Sequence, residues 1–234
     1  MLNRLRKEVC EANKRLFKEG LVSLTWGNVS AFDSSKQLII IKPSGVDYKQ
    51  ITPKDMVVVD LKGNIVKGKL NPSCDTPIHI ELYKRFPQIT SITHTHSTYA
   101  TAFAQAGLDI PVLGTTHSDY VNGPILCTRQ ISDEETQKNY ESNTAKVITE
   151  TILSSPNYIN ESIGILLRSH GVFSWGSNPN TSVDNAAVIE QIAKMAYLTK
   201  NLKKDVKVLP IYLLKKHHNR KNGVTAYYGQ KKQP

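Results

Sequence analysis

The chain has 234 residues, of which 39% are hydrophobic and 21% charged, and its formal net charge is +10. This length is sufficient for one large core, and no Pro-, Gly- or Ser-rich linker or internal repeat divides the sequence, so one domain over 1–234 is expected. The longest apolar run near the start, residues 38–41, is too short to span a bilayer, so no membrane partner is expected.

The positive charge is concentrated in a basic tail over 200–234. This segment holds ten Lys or Arg and one acidic residue, Asp205, whereas the rest of the chain holds 20 basic and 19 acidic residues. A solvated tail is the simplest interpretation, and a field that attracts an anionic small substrate is the second. Nucleic-acid binding ranks third, because no recognised module or interleaved aromatic pattern accompanies the charge, so no nucleic-acid partner is expected.

Cysteine usage indicates a reducing compartment. Cys10, Cys74 and Cys127 are widely spaced and form no C-x-x-C pair. The first residues of the chain mix both charges and contain no apolar secretory core. Free thiols and a cytoplasmic location are therefore expected.

Apolar periodicity predicts helices and strands along the whole chain. A period of 3.6 residues indicates helices, and β-branched runs indicate strands. The expected elements are a helix over 2–18, a β-rich stretch over 21–31, a strand over 38–41, a hairpin over 56–66, a helix capped by Thr76, a strand over 89–93, a helix over 97–106 capped by Ser97, a strand over 111–113, a helix over 132–153 that begins with a capping box, strands over 163–167 and 172–175, and a last long helix from Asn178.

Two histidines lie where the strand over 89–93 meets the next helix. Side chains two positions apart point to the same face of an extended chain, so His94 and His96 would face a common point. Such a junction is the usual ligand-binding edge of an open α/β sheet. Neutral imidazoles there suggest a metal site, with His170 at another strand exit as the natural third ligand. A solvated strand end is the alternative.

Two turns have the chemistry of a phosphate site. The segment Lys42–Gly45 combines a cation, a hydroxyl and a flexible amide, although a plain strand-to-turn exit would look the same. Ser73 and the amide of Cys74 precede a helix N-terminus, which binds anions readily. Asp75 in that position could serve only as a partner of the helix dipole.

Seven short stretches are much more specific together than any one of them alone. They are Thr25–Ser30, Lys42–Asp47, Pro72–Pro77, His94–Ser97, Gly114–Tyr120, Ser169–Gly171 and Ala226–Gln230. Their residues and order closely resemble the class II sugar-phosphate aldolase family, and in particular its pentulose-phosphate 4-epimerase branch. The resemblance extends over nearly the full length of the chain.

The resemblance implies a fold, an assembly and a metal ion. The fold would be α/β, with a central, mostly antiparallel β-sheet flanked by α-helices, and it would assemble as a fourfold homotetramer with active sites between subunits. One Zn²⁺ per subunit would be held at the matching positions, which are Asp75, His94, His96 and His170. Three imidazoles and one carboxylate suit zinc, although other divalent ions accept the same ligands.

The implied activity is the interconversion of L-ribulose 5-phosphate and D-xylulose 5-phosphate by inversion at C4, in the breakdown of arabinose or ascorbate. The C4 hydrogen is not acidic, whereas the C3–C4 bond can open if the C2 carbonyl accepts its electrons with a metal as Lewis acid. The positions that match the two acid/base groups are Asp119 and Tyr228. Since Tyr228 belongs to the basic tail, the tail would contribute to the active site.

Further positions match the family's substrate and phosphate contacts. They are Gly27, Asn28, Ser44, Gly45, Ser73 and Cys74. The family commonly has a second serine where this chain has Cys74, so a weak thiol replaces one hydroxyl donor and somewhat weaker phosphate binding is expected. Supporting roles are expected for Thr115, Glu141, His217 and Arg220, structural roles for His117 and His218, and a structural or surface position for His79.

Three alternative functions compete with this interpretation. A sibling aldolase or dehydratase would use the same zinc, but aldolases of the family typically carry Glu where this chain has Asp75. A non-catalytic structural head of a cytoskeletal protein would lack the metal histidines, which are present here. A basic nucleic-acid binder would be retained on DNA, and this retention would fall steeply with salt.

Overall fold

A seven-stranded sheet forms the centre of the molecule, and every pair of neighbouring strands is antiparallel. The computed structural model describes residues 2–222 and 226–228. Its strands are β1 (Asn28–Asp33), β2 (Leu38–Ile41), β3 (Val57–Asp60), β4 (Ile65–Lys67), β5 (Ser91–Thr95), β6 (Gly164–Leu167) and β7 (Gly171–Gly176). Their order across the sheet is β4-β3-β2-β1-β5-β7-β6. The predicted α/β fold with a mostly antiparallel sheet is confirmed.

Helices cover both faces of this sheet. They are α1 (Leu2–Lys18), α2 (Thr76–Arg85), α3 (Thr98–Ala106), α4 (Thr115–Ser118), α5 (Asp133–Gln137), α6 (Tyr140–Ser154), α7 (Tyr158–Glu161), α8 (Pro179–Leu202) and α9 (Ile211–Asn222). In β2, Ile39 packs toward α2 and α6, while Ile40 packs toward α1 and α8, as the alternation of strand side chains requires. No helix in the described ranges combines the length and the apolar character needed to cross a bilayer.

The strand predicted over 111–113 is wrong. Pro111 has no N–H with which to join a ladder. The Val112 carbonyl instead accepts a hydrogen bond from the Leu209 N–H at 2.8 Å. This segment therefore pairs with the chain that precedes α9 and not with a strand of the sheet.

The helix predicted over 132–153 is two helices. Its capping box at Ser132 is confirmed, but Asn139 adopts the left-handed conformation, with a φ of 55°, and separates α5 from α6. The Asn143 side chain donates to two carbonyl oxygens on the α5 side of this break. These bonds replace the helical ladder that periodicity alone had suggested.

Part of the basic tail is folded against the rest of the molecule. Helix α9 packs against α4, and Leu214 within it is buried. The amides of Tyr227 and Tyr228 donate to the Arg220 carbonyl. The simplest interpretation, a wholly solvated tail, is therefore wrong for α9 and the residues that contact it.

Strand register determines where the candidate ligands lie. Asn28 in β1 pairs with His94 in β5, and His94 pairs with Phe173 in β7. Because paired residues share a face, these three side chains lie on one side of the sheet. Thr95 pairs with Val172, so the end of β5 and the start of β7 meet at one edge of the sheet.

Candidate metal and anion site

Three imidazoles converge at this edge of the sheet. His94 lies in β5, His96 follows that strand, and His170 lies in the turn between β6 and β7. One ring nitrogen of each lies within 4.8 Å of the others, and the Nε2 atoms of His94 and His96 are 3.1 Å apart. Ligand nitrogens at about 2.1 Å from a tetrahedral zinc ion are themselves about 3.4 Å apart. The spacing of this histidine cluster fits a single ion.

The protonation state of the histidine cluster also suits a metal. His94 Nδ1 lies 2.9 Å from the Val172 carbonyl oxygen. A carbonyl oxygen only accepts, so Nδ1 carries the proton and Nε2 keeps its lone pair. Burial, reinforced by the neighbouring His94, lowers the pKa of His96 and of His170 to about 4. The rings of His96 and His170 are therefore neutral near pH 7 and can bind a cation.

The turn that carries His170 packs closely against β5. Ser169 has a φ of 60°, a conformation that residues other than glycine rarely adopt, and its Oγ donates to Gln130 Oε1 at 2.7 Å. At Gly171, a Cβ atom would lie 2.5 Å from the Thr95 carbonyl oxygen. Because only glycine fits there, His170 is held directly beside the strand that carries His94.

A carboxylate from α8 fixes the segment that follows His96. The Glu190 carboxylate accepts hydrogen bonds from the Tyr99 and Ala100 N–H groups at 2.9 to 3.1 Å. These groups belong to the N-terminus of α3, where negative charge is favoured. Ser97 occupies the predicted N-cap position, but its side chain makes no capping hydrogen bond. The packing of α8 against α3, which local sequence does not reveal, gives Glu190 this role.

Asp75 lies beside the histidine cluster but outside the group of three nearby ring nitrogens. It occupies the N-cap position of α2, the position predicted for the next residue, Thr76. Its Oδ2 accepts a hydrogen bond from Asn28 Nδ2 at 2.8 Å. Burial raises the pKa of Asp75, but the attraction of the surrounding histidines, His94 first, leaves it below its usual value. The Asp75 carboxylate is therefore ionised near pH 7.

A cavity of about 360 Å³ opens directly beside the histidines, within the size range of small-molecule sites. Eleven residues singled out from the sequence line it: Gly27, Lys42, Ser44, Gly45, Ser73, Cys74, Asp75, His94, His96, Glu141 and His170. Asn28 does not line it. Its buried side chain donates to Ser73 Oγ at 3.0 Å and to Asp75, so it supports two lining residues from behind.

Three loops contribute most of the other lining residues: the first loop (residues 25–28), the second loop (42–45) and the third loop (71–75). The second and third loops are paired through two backbone hydrogen bonds of 3.0 Å, from Ser44 N–H to Asn71 O and from Ser73 N–H to Lys42 O. Asn28 joins the first loop to the third. The candidate phosphate contacts are thus brought together from three separate parts of the chain.

The wall combines close packing with positive charge. At Gly27, which has a φ of 76°, a Cβ atom would lie 2.6 Å from the His94 carbonyl oxygen, so the first loop lies directly on β5. The Lys42 side chain is only 1% exposed, and burial lowers its pKa to about 8. Lys42 therefore remains a cation at pH 7, next to hydroxyls and amides that can donate to an anion.

Other lining residues had not been singled out from the sequence. Thr25, Trp26, Pro43 and Tyr140 all line this cavity. Tyr140 and its neighbour Glu141, expected only as a supporting residue, reach it because α6 begins after the break at Asn139. A second cavity of about 590 Å³ shares Trp26, His96, Tyr140 and His170 with the first and includes residues of α3.

Asp119 and Tyr228 form a separate polar cluster with residues of α9. Arg220 donates to both carboxylate oxygens of Asp119 at 2.8 and 3.1 Å, and His217 Nδ1 lies 3.1 Å from Oδ1. The Tyr228 ring lies 5.2 Å from the Arg220 guanidinium. Burial opposes ionisation of Asp119, but the hydrogen bonds from Arg220 and His217 bring its pKa below the usual value. Neither Asp119 nor Tyr228 lines a cavity beside the histidines of the same chain.

Two further histidines are buried, and one ring nitrogen of each has a hydrogen-bond partner. His79 Nδ1 lies 2.7 Å from the Ser30 hydroxyl, and His117 Nε2 lies 2.9 Å from the Gly123 carbonyl oxygen. Neither lines the cavity beside the histidine cluster. The burial of His79 excludes a surface position for it, and a structural role for each of the two stays a prediction.

A sheet enclosed by two helical layers, with three imidazoles beside a cavity, defines an α/β protein with a candidate metal site. The chain belongs to the Class II Aldolase and Adducin N-terminal domain family, whose sequence pattern matches residues 7–197. This membership supports a sugar-phosphate aldolase-like activity and the status of an enzyme.

Solved structures share this fold. L-Fuculose 1-phosphate aldolase is 27% identical, with a TM-score of 0.78, over 93% of this chain and 95% of that one. YgbL from Escherichia coli is 20% identical, with a TM-score of 0.74, over 93% and 99% of the two chains. An L-fuculose-1-phosphate aldolase from Thermus thermophilus is 23% identical, with a TM-score of 0.66, over 88% and 100%.

Proposed function

We propose that this protein is a zinc-dependent L-ribulose-5-phosphate 4-epimerase, an isomerase that interconverts L-ribulose 5-phosphate and D-xylulose 5-phosphate. The observation that carries the proposal is the convergence of three imidazoles beside a cavity whose loops suit a phosphate. Asp75, in place of the Glu typical of aldolases, and the Tyr-Tyr-Gly-Gln segment favour the epimerase. A cytoplasmic location and a role in arabinose or ascorbate breakdown belong to the same proposal.

The residues present fit the metal. His94, His96 and His170 would hold it through ring nitrogens, with the ionised Asp75 as the fourth ligand. The hydrogen bond from His94 Nδ1 to a backbone carbonyl is the outer contact that such ligands usually make. A divalent ion bound there supplies a Lewis acid for the ketose oxygens.

The loops would hold the phosphate of the substrate. Lys42 provides charge, the hydroxyls of Ser44 and Ser73 donate hydrogen bonds, and the amides of Gly45 and Cys74 complete the contacts. Because the phosphate is tethered, the two-carbon fragment stays in place after the C3–C4 bond opens, and the same fragment recombines.

Proton transfer is assigned to Asp119 and Tyr228. One group removes the proton of the C4 hydroxyl while the C3–C4 bonding pair moves toward the C2 carbonyl, which yields an enediolate and glycolaldehyde phosphate. The aldehyde then turns its other face, C3 attacks it, and the second group donates a proton to the new C4 oxygen. The two groups must therefore lie on opposite sides of C4.

This assignment requires more than one copy of the chain. Neither Asp119 nor Tyr228 lines the histidine cavity of its own chain. In a homotetramer with active sites between subunits, a neighbouring copy would supply both groups, and the basic tail over 200–234 would contribute to each site. The small-molecule substrate would bind between copies.

The direct test is conversion of L-ribulose 5-phosphate by the purified, zinc-loaded protein, with the stereochemistry of the product determined by NMR. We expect D-xylulose 5-phosphate, loss of conversion after treatment with a chelator, and recovery when Zn²⁺ is returned. Failure of the zinc-loaded protein to form D-xylulose 5-phosphate would contradict the proposed reaction.

The second candidate is aldol cleavage without recombination. It is favoured by the 27% identity with L-fuculose 1-phosphate aldolase over 93% of this chain. The same incubation separates the two reactions, because an aldolase releases a free three-carbon product while an epimerase returns an intact five-carbon sugar phosphate.

A further inference from the structure

A buried tyrosine contacts both the first and the second loop of the anion site. Tyr48 follows the second loop by three residues and is 1% exposed. Its hydroxyl lies 2.7 Å from the carbonyl oxygens of Trp26 and Gly27, and its ring centroid lies 4.6 Å from Lys42 Nζ. The hydroxyl therefore donates to the first loop, while the ring lies under the cation of the second.

The other loop pairs are connected without this residue. Backbone hydrogen bonds join the second loop to the third, and Asn28 joins the first loop to the third. Between the first and second loops, the Lys42 ammonium donates to the Thr25 carbonyl at 3.5 Å, which is long for a hydrogen bond. The shorter contacts of the Tyr48 hydroxyl are the stronger connection.

The ring of Tyr48 compensates for an unfavourable position of Lys42. This amine is buried and forms no ion pair among the described residues. The face of an aromatic ring attracts a cation, and more strongly when water is excluded. Phe17 stacks on Tyr48 with ring centroids 6.2 Å apart, which limits movement of the ring.

We propose that Tyr48 is a positioning residue for anion binding: its hydroxyl fixes the first loop, and its ring holds the Lys42 ammonium at the cavity wall. Tyr48 does not line the cavity, so it acts through other residues and does not touch the ligand. The inference rests on the phosphate recognition contained in the proposed function. It does not depend on the reaction being an epimerisation.

The experiment uses inorganic phosphate as the probe and the Cys74 thiol as the reporter. Cys74 is exposed and lines the cavity, so bound phosphate should protect it from alkylation by iodoacetamide in the zinc-loaded protein, as measured by mass spectrometry. In Tyr48→Phe, the half-protecting phosphate concentration should rise about three- to tenfold, because one buried hydrogen bond is lost. In Tyr48→Leu the half-protecting phosphate concentration should rise about threefold further, because the aromatic ring is lost as well.

The matched control is Tyr158→Phe. Tyr158 is also buried, and its hydroxyl bonds two backbone groups, the Leu126 N–H and the Gly164 carbonyl, outside the three loops. Tyr158→Phe removes a comparable buried hydrogen bond but should leave the half-protecting phosphate concentration unchanged. In a Lys42→Met background, Tyr48→Leu should act no more strongly than Tyr48→Phe, since the cation over the ring is gone.

Kinetics add a readout that a purely structural role would not give. Tyr48→Phe should raise KM for the sugar phosphate more than it lowers kcat, with bound zinc unchanged. Equal half-protecting concentrations in Tyr48→Phe and the unsubstituted protein would overturn the inference, as would absence of any phosphate protection in the unsubstituted protein. Intact protection without conversion of L-ribulose 5-phosphate would overturn only the proposed reaction.

Discussion

The two polar clusters of this molecule are built in different ways. Strand register assembles the histidine cluster, because His94 pairs with Asn28 on one side and with Phe173 on the other. The tail assembles the second cluster, in which α9 places Arg220 against Asp119 beside the short helix α4. The first cluster depends on the central sheet, and the second depends on one helix packed against α4.

This difference separates what one chain holds in place from what an assembly must bring together. Three of the four proposed metal ligands converge within a single chain, fixed by backbone contacts. The Asp119 carboxylate also has partners within its own chain, because both of its oxygens are bonded to Arg220, but it lies outside the cavity. Under the proposed function, catalysis therefore requires the two clusters to meet across a subunit interface.

The largest effect is expected from His96→Asn, which removes one ring of the histidine cluster. Turnover should fall by more than about 10³-fold, because the Lewis acid is lost, and zinc bound per chain should fall as well. Initial rates and elemental analysis measure the two effects. His117→Asn is the matched control, since it removes a buried ring outside the cavity and should keep its zinc. Undiminished activity of His96→Asn would remove this residue from the ligand set.

The next largest effect is expected from Tyr228→Phe in the second cluster. Loss of a proton-transfer group should lower kcat by about 10²- to 10⁴-fold, while zinc content and the assembly measured by light scattering stay the same. Tyr227→Phe is the neighbouring control, because it removes another exposed phenol. A fully active Tyr228→Phe protein would exclude this hydroxyl from the mechanism.

Hybrid assemblies test directly whether the clusters of different copies work together. If a neighbour supplies Tyr228, co-expressed His96→Asn and Tyr228→Phe chains should regain about one quarter of the activity per site, since random mixing pairs intact clusters at that frequency. Activity measured on purified mixed assemblies gives the answer. If the two clusters of one chain act together, every site lacks one group and no activity returns.

Sequence reasoning succeeded where the relevant geometry is local. The alternation of a strand placed His94 and His96 on one face, and the strand exit at His170 completed the cluster. It failed where geometry depends on distant packing. The break at Asn139 that brings Tyr140 to the cavity replaces a regular apolar pattern. The contact of Asp119 with Arg220 joins residues 101 positions apart, which no local pattern encodes.

The charge of Lys42 sets a pH limit on phosphate binding. Burial lowers the pKa of Lys42 to about 8, and the opposing attraction of Asp47 is smaller. The amine is charged below this pH and neutral above it, so affinity for inorganic phosphate should fall about tenfold from pH 7 to pH 9. Calorimetric titration of the zinc-loaded protein measures this decline, which should be absent in Lys42→Gln. The same decline in the variant would assign the effect to another group.

The smallest effect is expected from Cys74→Ser, which restores the hydroxyl common at this position in the family. A hydroxyl is a better hydrogen-bond donor than a thiol, so inorganic phosphate should bind about two- to fivefold more tightly by calorimetry. Cys127→Ser replaces a half-buried thiol outside the cavity and should leave the affinity unchanged. If Cys74→Ser binds phosphate no better, the third loop holds the anion through its backbone amide, and the side chain at position 74 contributes little to binding.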